Sequence, residues 1–208
     1  MAIVLLNGDV TGVEYPGNTW GELLEVLDKQ RGASGDVVTG VRLDGADIPA
    51  FRTPQALSHT LDASAEVFIE TARPADLISQ TLDEAEAATP VLAEAAVALG
   101  SSYRGPDVSA ANRALPEFAE SLGTLIVITS TVAQGAGVDL SVVGDGQLSA
   151  MQMINNLIAR IDVLLAAQRA GNWTQVAAVV DEIAATLRRW PLVLQAVRQA
   201  TPVRTSMP

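Results

Sequence analysis

The single histidine of the chain, His59, is the side chain best suited to acid–base chemistry near neutral pH. It follows Ser58, so the two residues could act as a base and a nucleophile. The chain contains no Gly-x-Ser-x-Gly elbow. A lone histidine beside a serine in a turn-rich stretch is far more often incidental than catalytic. We therefore predict no catalytic residue.

The densest acidic cluster consists of Asp83, Glu84 and Glu86, and such carboxylates can support hydrolysis or hold a divalent cation. These residues flank Leu82 and Ala85, two apolar positions of a predicted helix, so we expect their side chains to face solvent. Metal pairs in helical bundles use Glu-x-x-His motifs, which one histidine cannot supply. The chain also has no cysteine to serve as a metal ligand. We predict neither a metal site nor a cofactor.

Two glycine-rich stretches, at 134–137 and 143–146, could suggest a loop that binds phosphate. A P-loop ends in Gly-Lys-Ser/Thr, whereas the single lysine of this chain is Lys29. No clear strand precedes either stretch. A loop between two helices is therefore the preferred interpretation.

The 208 residues carry a net charge of −11, which would repel a nucleic acid or an anionic bilayer. We expect neither as a partner. The charge is uneven, because residues 1–72 hold 11 acidic and 4 basic side chains, whereas residues 151–208 hold 3 and 6. No basic region typical of a secretory signal opens the sequence. The longest uncharged run, between Glu120 and Asp139, falls short of the ~20 apolar residues that span a bilayer. These features predict a cytoplasmic protein.

The first 72 residues alternate apolar and polar side chains at a period of two, which is typical of strands. Asn7-Gly8 and Asp44-Gly45 predict tight hairpin turns. Thr19 and Glu22 form a capping box ahead of one helix. The predicted elements are strands at 3–6 and 10–15, a helix from about 19 with Trp20, Leu23, Leu24 and Leu27 on one face, strands at 37–43 and 46–49, a turn-rich stretch at 54–61 and a strand at 67–71.

This order of elements resembles the ubiquitin-like β-grasp fold, in which a four- or five-stranded sheet wraps one helix. The resemblance covers about a third of the chain. Ubiquitin-like modifiers and sulfur carriers act through a C-terminal Gly-Gly, whereas here the last strand leads into Arg73-Pro74. The resemblance therefore implies a docking surface and no carrier chemistry.

Beyond Pro74 the apolar period changes to about 3.5 residues, which is typical of helices packed side by side. Four such segments predict an antiparallel four-helix bundle over 76–200, with a flexible tail at 201–208. Pro90, Pro116 and Pro191 should each kink a helix or mark a later start. The predicted buried stripes are Ile78, Leu82, Ala85, Thr89, Leu92, Ala96 and Leu99; Ala111, Leu115, Phe118, Leu122, Leu125, Ile128 and Val132; Met151, Ile154, Ile158, Ile161 and Leu165; and Val176, Val180, Ile183, Leu187, Trp190, Leu194 and Val197.

The segment from Leu148 to Trp190 resembles the flagellin export chaperones, whose late helices carry a Leu/Ala-rich stripe, a polar turn and a second stripe closing near a tryptophan. The matching residues are 164–167, the Asn172-Trp173 turn and 183–190. The resemblance covers about a fifth of the chain and implies a bundle that binds another protein. It carries over no binding residue. Trp173 could anchor a partner, although we expect it to close one end of the bundle.

Together these observations predict an α+β protein with a β-grasp-like domain at 1–72 and a four-helix bundle at 76–200. We expect a non-enzymatic adaptor that binds a protein partner. The alternative is a metal-assisted or carboxylate-dependent hydrolase whose site lies between the two domains and uses the cluster at 83–86. A homo-oligomer is a further expectation, because an apolar stripe wider than its own bundle can bury needs a neighbour.

Overall fold

The computed structural model describes residues 3–10, 19–32, 35–62, 64–106 and 108–201. The chain divides into two compact units, Met1–Leu77 and Ile78–Pro208. The predicted tail lies outside the described residues except for Thr201. The predicted α+β class is confirmed, since a mixed five-stranded sheet lies at the N-terminus and long helices follow.

The sheet of the first unit has the strand order β2-β1-β5-β3-β4. Strands β1 and β5 pair in parallel, whereas β1 with β2, β3 with β4 and β3 with β5 pair antiparallel. Two strands that are far apart in sequence therefore lie side by side at the centre. The elements are β1 (Ile3–Leu6), β2 (Asp9–Val10), α1 (Trp20–Gly32), β3 (Val37–Leu43), β4 (Ala46–Asp47), α2 (Pro54–Leu57) and β5 (Glu66–Ala72).

Both predicted hairpin turns are confirmed. Asn7 and Gly8 have φ angles of 50° and 92°, and Asp44 and Gly45 have 49° and 81°, as the turn that matches strand twist requires. The Asn7 side chain also donates from Nδ2 to Thr71 Oγ1 at 3.0 Å and accepts from the Thr71 backbone N–H at 2.9 Å. The strand predicted at 10–15 is seen only as Asp9–Val10, because residues 11–15 lie outside the described part.

Helix α1 begins at the predicted capping box. The Glu22 backbone N–H donates to Thr19 Oγ1 at 3.3 Å, and the Thr19 N–H donates to Glu22 Oε2 at 3.2 Å. The four predicted apolar residues of α1 are all buried, and they share one core with side chains from β1, β3 and β5. The helix therefore covers one face of the sheet. The core residues from the strands are Val4, Leu6, Val38, Val41, Val67 and Ile69.

The second unit is built from long helices that bury one shared apolar core. Pro90, Pro116 and Pro191 each lie inside a continuous helix, so the alternative of a later helix start at these positions is wrong. Buried side chains on both sides of each proline hold these helices in place, and that packing outweighs the lost hydrogen bond. The helices are α3 (Pro74–Arg104), α4 (Val108–Ala136), α5 (Ala150–Arg169) and α6 (Trp173–Ala200).

The predicted stripe of α6 is confirmed, since all seven of its residues are fully buried. In α4 Thr129 is completely buried, whereas the neighbouring Ile128, which was the predicted core residue, is only half-buried. In α5 the predicted Ile154 is buried and the predicted Ile161 is half-buried against the core, but the prediction is wrong for Met151 and Ile158, which are 42% and 45% exposed. Met153, Leu157 and Leu164, which the predicted stripe left out, are buried instead. Because α5 carries apolar side chains on several faces, spacing alone could not determine which face turns inward.

Among the described residues, α5 is also the one helix that is long and apolar enough to cross a membrane by length and composition alone. Its side chains Met153, Leu157 and Leu164 are buried in the protein core. Arg160 and Asp162 lie near its middle. A helix that packs in a protein core passes the same test, and these buried residues belong to the core of the second unit.

Candidate functional site

Ser58 and His59 make structural hydrogen bonds at the end of α2 and at the first residue of α1. The Ser58 hydroxyl donates to the backbone oxygen of Gln55 at 2.9 Å, so its proton is not directed at the His59 imidazole. The backbone oxygen of His59 accepts from the Trp20 N–H at 2.8 Å. The neighbouring Thr60 forms a bridge with Thr19. This turn therefore anchors the start of α1, and the His59 side chain lies beside a cavity.

That cavity, of about 310 Å³, lies within the first unit. Its buried lining residues are Trp20, Val41 and Leu61. Such a volume is at the lower end of the range for ligand sites, which are lined mainly by apolar side chains with a few polar groups. We name this feature the sheet-unit cavity. The other lining residues in the described part of the chain are the apolar Leu43, Ile48, Pro49, Ala50 and Ala56 and the exposed polar Asp47, Thr53, Gln55 and His59.

Sequence reasoning missed the sheet-unit cavity. The sequence predicts residues 48–49 as the end of a return strand, yet β4 ends at Asp47. Trp20 was predicted as core, and it is 4% exposed. Its Nε1–H donates to the backbone oxygen of Phe51 at 2.7 Å, and the two rings meet edge to face at 6.4 Å. No local pattern signals that the chain after β4 turns around this indole.

The acidic cluster at 83–86 is partly engaged with α6. Arg198 Nη2 donates to Asp83 Oδ1 at 2.7 Å and to Glu86 Oε1 at 3.2 Å. Burial by itself lowers the pKa of Arg198, but these hydrogen bonds and charges outweigh it and raise that pKa. The prediction of three solvated side chains is wrong for Glu86, which is half-buried, and Asp83 is exposed but paired. Glu84 is exposed and accepts from Gln80 at 3.0 Å.

Within the described part of the chain, no three histidine or acidic side chains form a group that could hold a metal ion. At the acidic cluster the Arg198 guanidinium already occupies the place between Asp83 and Glu86 where a metal ion would bind. A second cation at this place would be repelled by the first.

The glycine-rich stretch at 143–146 forms a loop around a buried carboxylate. Asp145 Oδ1 accepts from the backbone N–H groups of Gln147 and Leu148, both at 2.9 Å, and its other oxygen forms an ion pair with Arg189 of α6. Ser149 and Gln152 then make a capping box that begins α5. The predicted loop holds for 143–146, whereas residues 134–136 belong to the last turn of α4. The carboxylate of Asp145 takes the backbone donors that a phosphate would need.

The pKa of Asp145 is lowered. Burial alone would raise it, but the N–H groups of Leu148 and Gln147 and the charge of Arg189 together outweigh that effect. Because the pKa is lower in the folded state, the ionised carboxylate stabilises the fold at pH values above the pKa of an aspartate in the unfolded chain, about 3.9. This contribution is lost as the pH falls through the folded-state pKa.

We expect Asp145→Asn to lower the free energy of unfolding at pH 7 by about 1–3 kcal/mol, because Arg189 loses its partner and the loop loses a charged acceptor. The difference between wild type and variant should shrink as the pH falls from about 5 to 2. Urea unfolding of the wild type and the variant at several pH values measures this difference in the free energy of unfolding. Asp139→Asn is the control, because this exposed carboxylate also has a lowered pKa, from the Ser141 N–H, but no arginine partner. A difference independent of pH would contradict this account.

Trp173 lies where the sequence predicted it, at one end of the helical unit. Its ring stacks on that of Tyr103 at 5.9 Å and 15°. The Tyr103 hydroxyl donates to Asn112 Oδ1 at 2.9 Å, and Gln168 Nε2 donates to the same oxygen at 3.3 Å. Burial raises the pKa of Tyr103. All four long helices thus contribute to this cluster, and half-buried Trp173 closes the end of the core.

The geometry defines an α+β protein with a sheet unit that contains an apolar cavity and a unit of four long helices. Comparison of the chain with protein-family models, with curated proteins and with solved structures finds no match.

Proposed function

We propose that the protein is a non-enzymatic, cytoplasmic adaptor in which a ubiquitin-like β-grasp unit serves as a docking module and an antiparallel four-helix bundle binds another protein in the manner of an export chaperone. The parallel pairing of β1 with β5 and the helix over one face of the sheet support the β-grasp part. The short connections at 105–107 and 170–172 favour antiparallel neighbours.

The observation that carries the binding role is an exposed apolar pair on α5. Met151 and Ile158 are 42% and 45% exposed, and they share one face because they are seven residues apart. In a heptad pattern such positions meet a neighbouring helix. Exposed apolar side chains on a helix are also the anchors by which one helix recognises another. A helical segment of a partner protein is therefore the proposed occupant of this face.

The polar groups that could carry chemistry support binding over catalysis. The Ser58 hydroxyl donates to a backbone oxygen, the Asp83 and Glu86 carboxylates accept from Arg198, and the Asp145 carboxylate is paired with Arg189. An activated nucleophile needs a base within hydrogen-bond reach, and a metal needs unneutralised ligands. The contacts of these groups are those of structural residues.

Capture with the tagged full chain, followed by mass spectrometry and calorimetry with each purified candidate, tests this function. We expect one polypeptide to bind in a defined stoichiometry. Ile158→Glu should weaken it at least about tenfold, because a charge would be buried at the contact. Asn156→Glu, an exposed change of equal charge on the same helix, should leave the affinity within about twofold.

Two results would contradict the proposal. One is that no polypeptide binds the full chain reproducibly. The other is that both variants bind the purified partner as the wild type does. Sedimentation velocity separates a further case: if Ile158→Glu abolishes only self-association, a second copy of this chain covers the α5 face, and the adaptor proposal for that face fails.

A further inference from the structure

The sheet-unit cavity has the size and lining of a site for one side chain. Its volume of about 310 Å³ is too small for a dinucleotide or other large cofactor and suits one large apolar group. Trp20, Val41 and Leu61 contribute its buried surface. A large apolar group that entered would exchange water for contact with these three side chains.

The cavity is held in shape by hydrogen bonds made within the first unit. The Trp20 indole N–H donates to the backbone oxygen of Phe51 at 2.7 Å, and the Ile48 N–H donates to the backbone oxygen of Val41 at 2.9 Å. Thr53 caps α2 by accepting from the Ala56 N–H at 3.4 Å. A site whose walls are already ordered loses little conformational entropy when it binds, which raises affinity.

The charge beside the cavity is negative. Asp47 lines it with a side chain that is 83% exposed, and among the lining residues that the structure describes there is no lysine or arginine. Arg42 forms an ion pair with Asp47 at 3.6 Å, but the same guanidinium also bonds Glu70 at 2.9 Å and lies over the Phe68 ring at 4.3 Å, so one cation faces two carboxylates. Residues 1–72 together carry 11 acidic and 4 basic side chains. This field favours a cationic partner.

We infer that the sheet-unit cavity binds a peptide segment of a partner protein, which inserts one large apolar side chain and places lysine or arginine beside it near Asp47. The inference rests on the proposed adaptor function and names the chemistry of one partner. Because Asp47 belongs to β4, the last strand at one edge of the sheet, the segment can reach the cavity from that edge.

Nuclear magnetic resonance of the full, isotope-labelled chain tests the inference. The probe is a capped pentapeptide with a central phenylalanine and two lysines on each side. We expect a saturable shift of the Trp20 indole N–H signal, which Trp20→Phe identifies by its loss. The same peptide with a central alanine should bind at least about tenfold more weakly, and one with glutamates for lysines should not bind.

Two protein variants locate the contact. Ala56→Phe fills the cavity from α2 and should lower the affinity for the phenylalanine peptide at least about tenfold. Asp47→Lys should lower the affinity for this peptide several-fold more than Asp9→Lys does. Asp9→Lys is the matched control, because it makes the same charge change on β2 at the opposite edge of the sheet. The amide spectrum of each variant shows whether it is folded, and the peptide comparison does not depend on any variant.

The inference is overturned if the Trp20 signal does not shift saturably, if the alanine and phenylalanine peptides bind equally, or if Asp47→Lys and Asp9→Lys have equal effects. Failure here is distinct from failure of the adaptor function. If the captured partner binds the Ala56→Phe chain but not the Ile158→Glu chain, and the Trp20 signal does not shift saturably with the peptide, the adaptor stays in place and the peptide site is removed.

Discussion

Trp190→Ala should lower the free energy of unfolding of the helical unit by about 3–5 kcal/mol, the usual cost of removing a fully buried tryptophan. The Trp190 indole Nε1–H donates to Thr129 Oγ1 at 3.2 Å, and the Thr129 hydroxyl donates in turn to the Leu125 oxygen at 2.8 Å. Thr129 is itself completely buried. The variant therefore leaves a cavity and deprives a buried hydroxyl of its donor.

Urea unfolding followed by far-ultraviolet circular dichroism measures this effect without relying on tryptophan emission. Leu192→Ala is the matched control, because Leu192 lies two residues further along α6 and is 49% exposed. We expect it to cost less than about 1 kcal/mol. Trp190→Phe keeps most of the apolar contact and should cost less than the alanine variant. Equal losses for Trp190→Ala and Leu192→Ala would show that the core of the helical unit is packed differently.

Gly144→Ala should lower the free energy of unfolding by about 1–3 kcal/mol or more, through overpacking against backbone. A Cβ at this position would overlap the carbonyl oxygen of Leu148 and lie 2.9 Å from the Cα of Ser149. Both obstacles are main-chain atoms, so no side-chain rotation relieves them. The close approach is part of the bridge between Gly144 and Ser149, which sets the start of α5.

The control for Gly144 is Gly123→Ala in the interior of α4, where an added Cβ meets no atom within 4 Å. This change should stabilise the protein by up to about 1 kcal/mol, because alanine is the better helix former. Thermal unfolding compares the two, and hydrogen exchange at the Leu148 amide, which donates to Asp145, reports the loop directly. A Gly144→Ala variant as stable as wild type with an unchanged exchange rate would contradict the packing described here.

Turn and cap chemistry was predictable wherever it depends on residues a few positions apart. Asn7-Gly8 and Asp44-Gly45 take positive φ angles, which asparagine, aspartate and glycine tolerate better than other residues. Thr19 and Glu22 make the two reciprocal hydrogen bonds of the predicted capping box. The pairing of β1 with β5 could not be derived in this way. It joins Val4 to Val67 across more than sixty residues, and many strand orders satisfy the same alternation.

The contrast between α6 and α5 shows where periodicity is sufficient. In α6 the stripe from Val176 to Val197 is buried throughout, as its spacing predicts, and exposed Leu192 lies off that stripe. In α5 apolar side chains occupy several faces, and the neighbouring helices select which of them is buried. Met151 and Ile158 consequently lie outside the core that their spacing predicted for them.

The amino-acid sequence alone was sufficient for the α+β class, the hairpin turns, the whole buried stripe of α6, most of the stripes of α3 and α4, and the shortage of acid–base side chains, because each depends on residue type and short-range spacing. Folding decided which groups meet. It placed Arg198 against Asp83 and Glu86, 115 and 112 residues away, and it turned the chain after β4 around Trp20 to form the sheet-unit cavity. Contacts between residues so far apart in sequence depend on how the core within each unit packs, and short-range sequence patterns do not encode them.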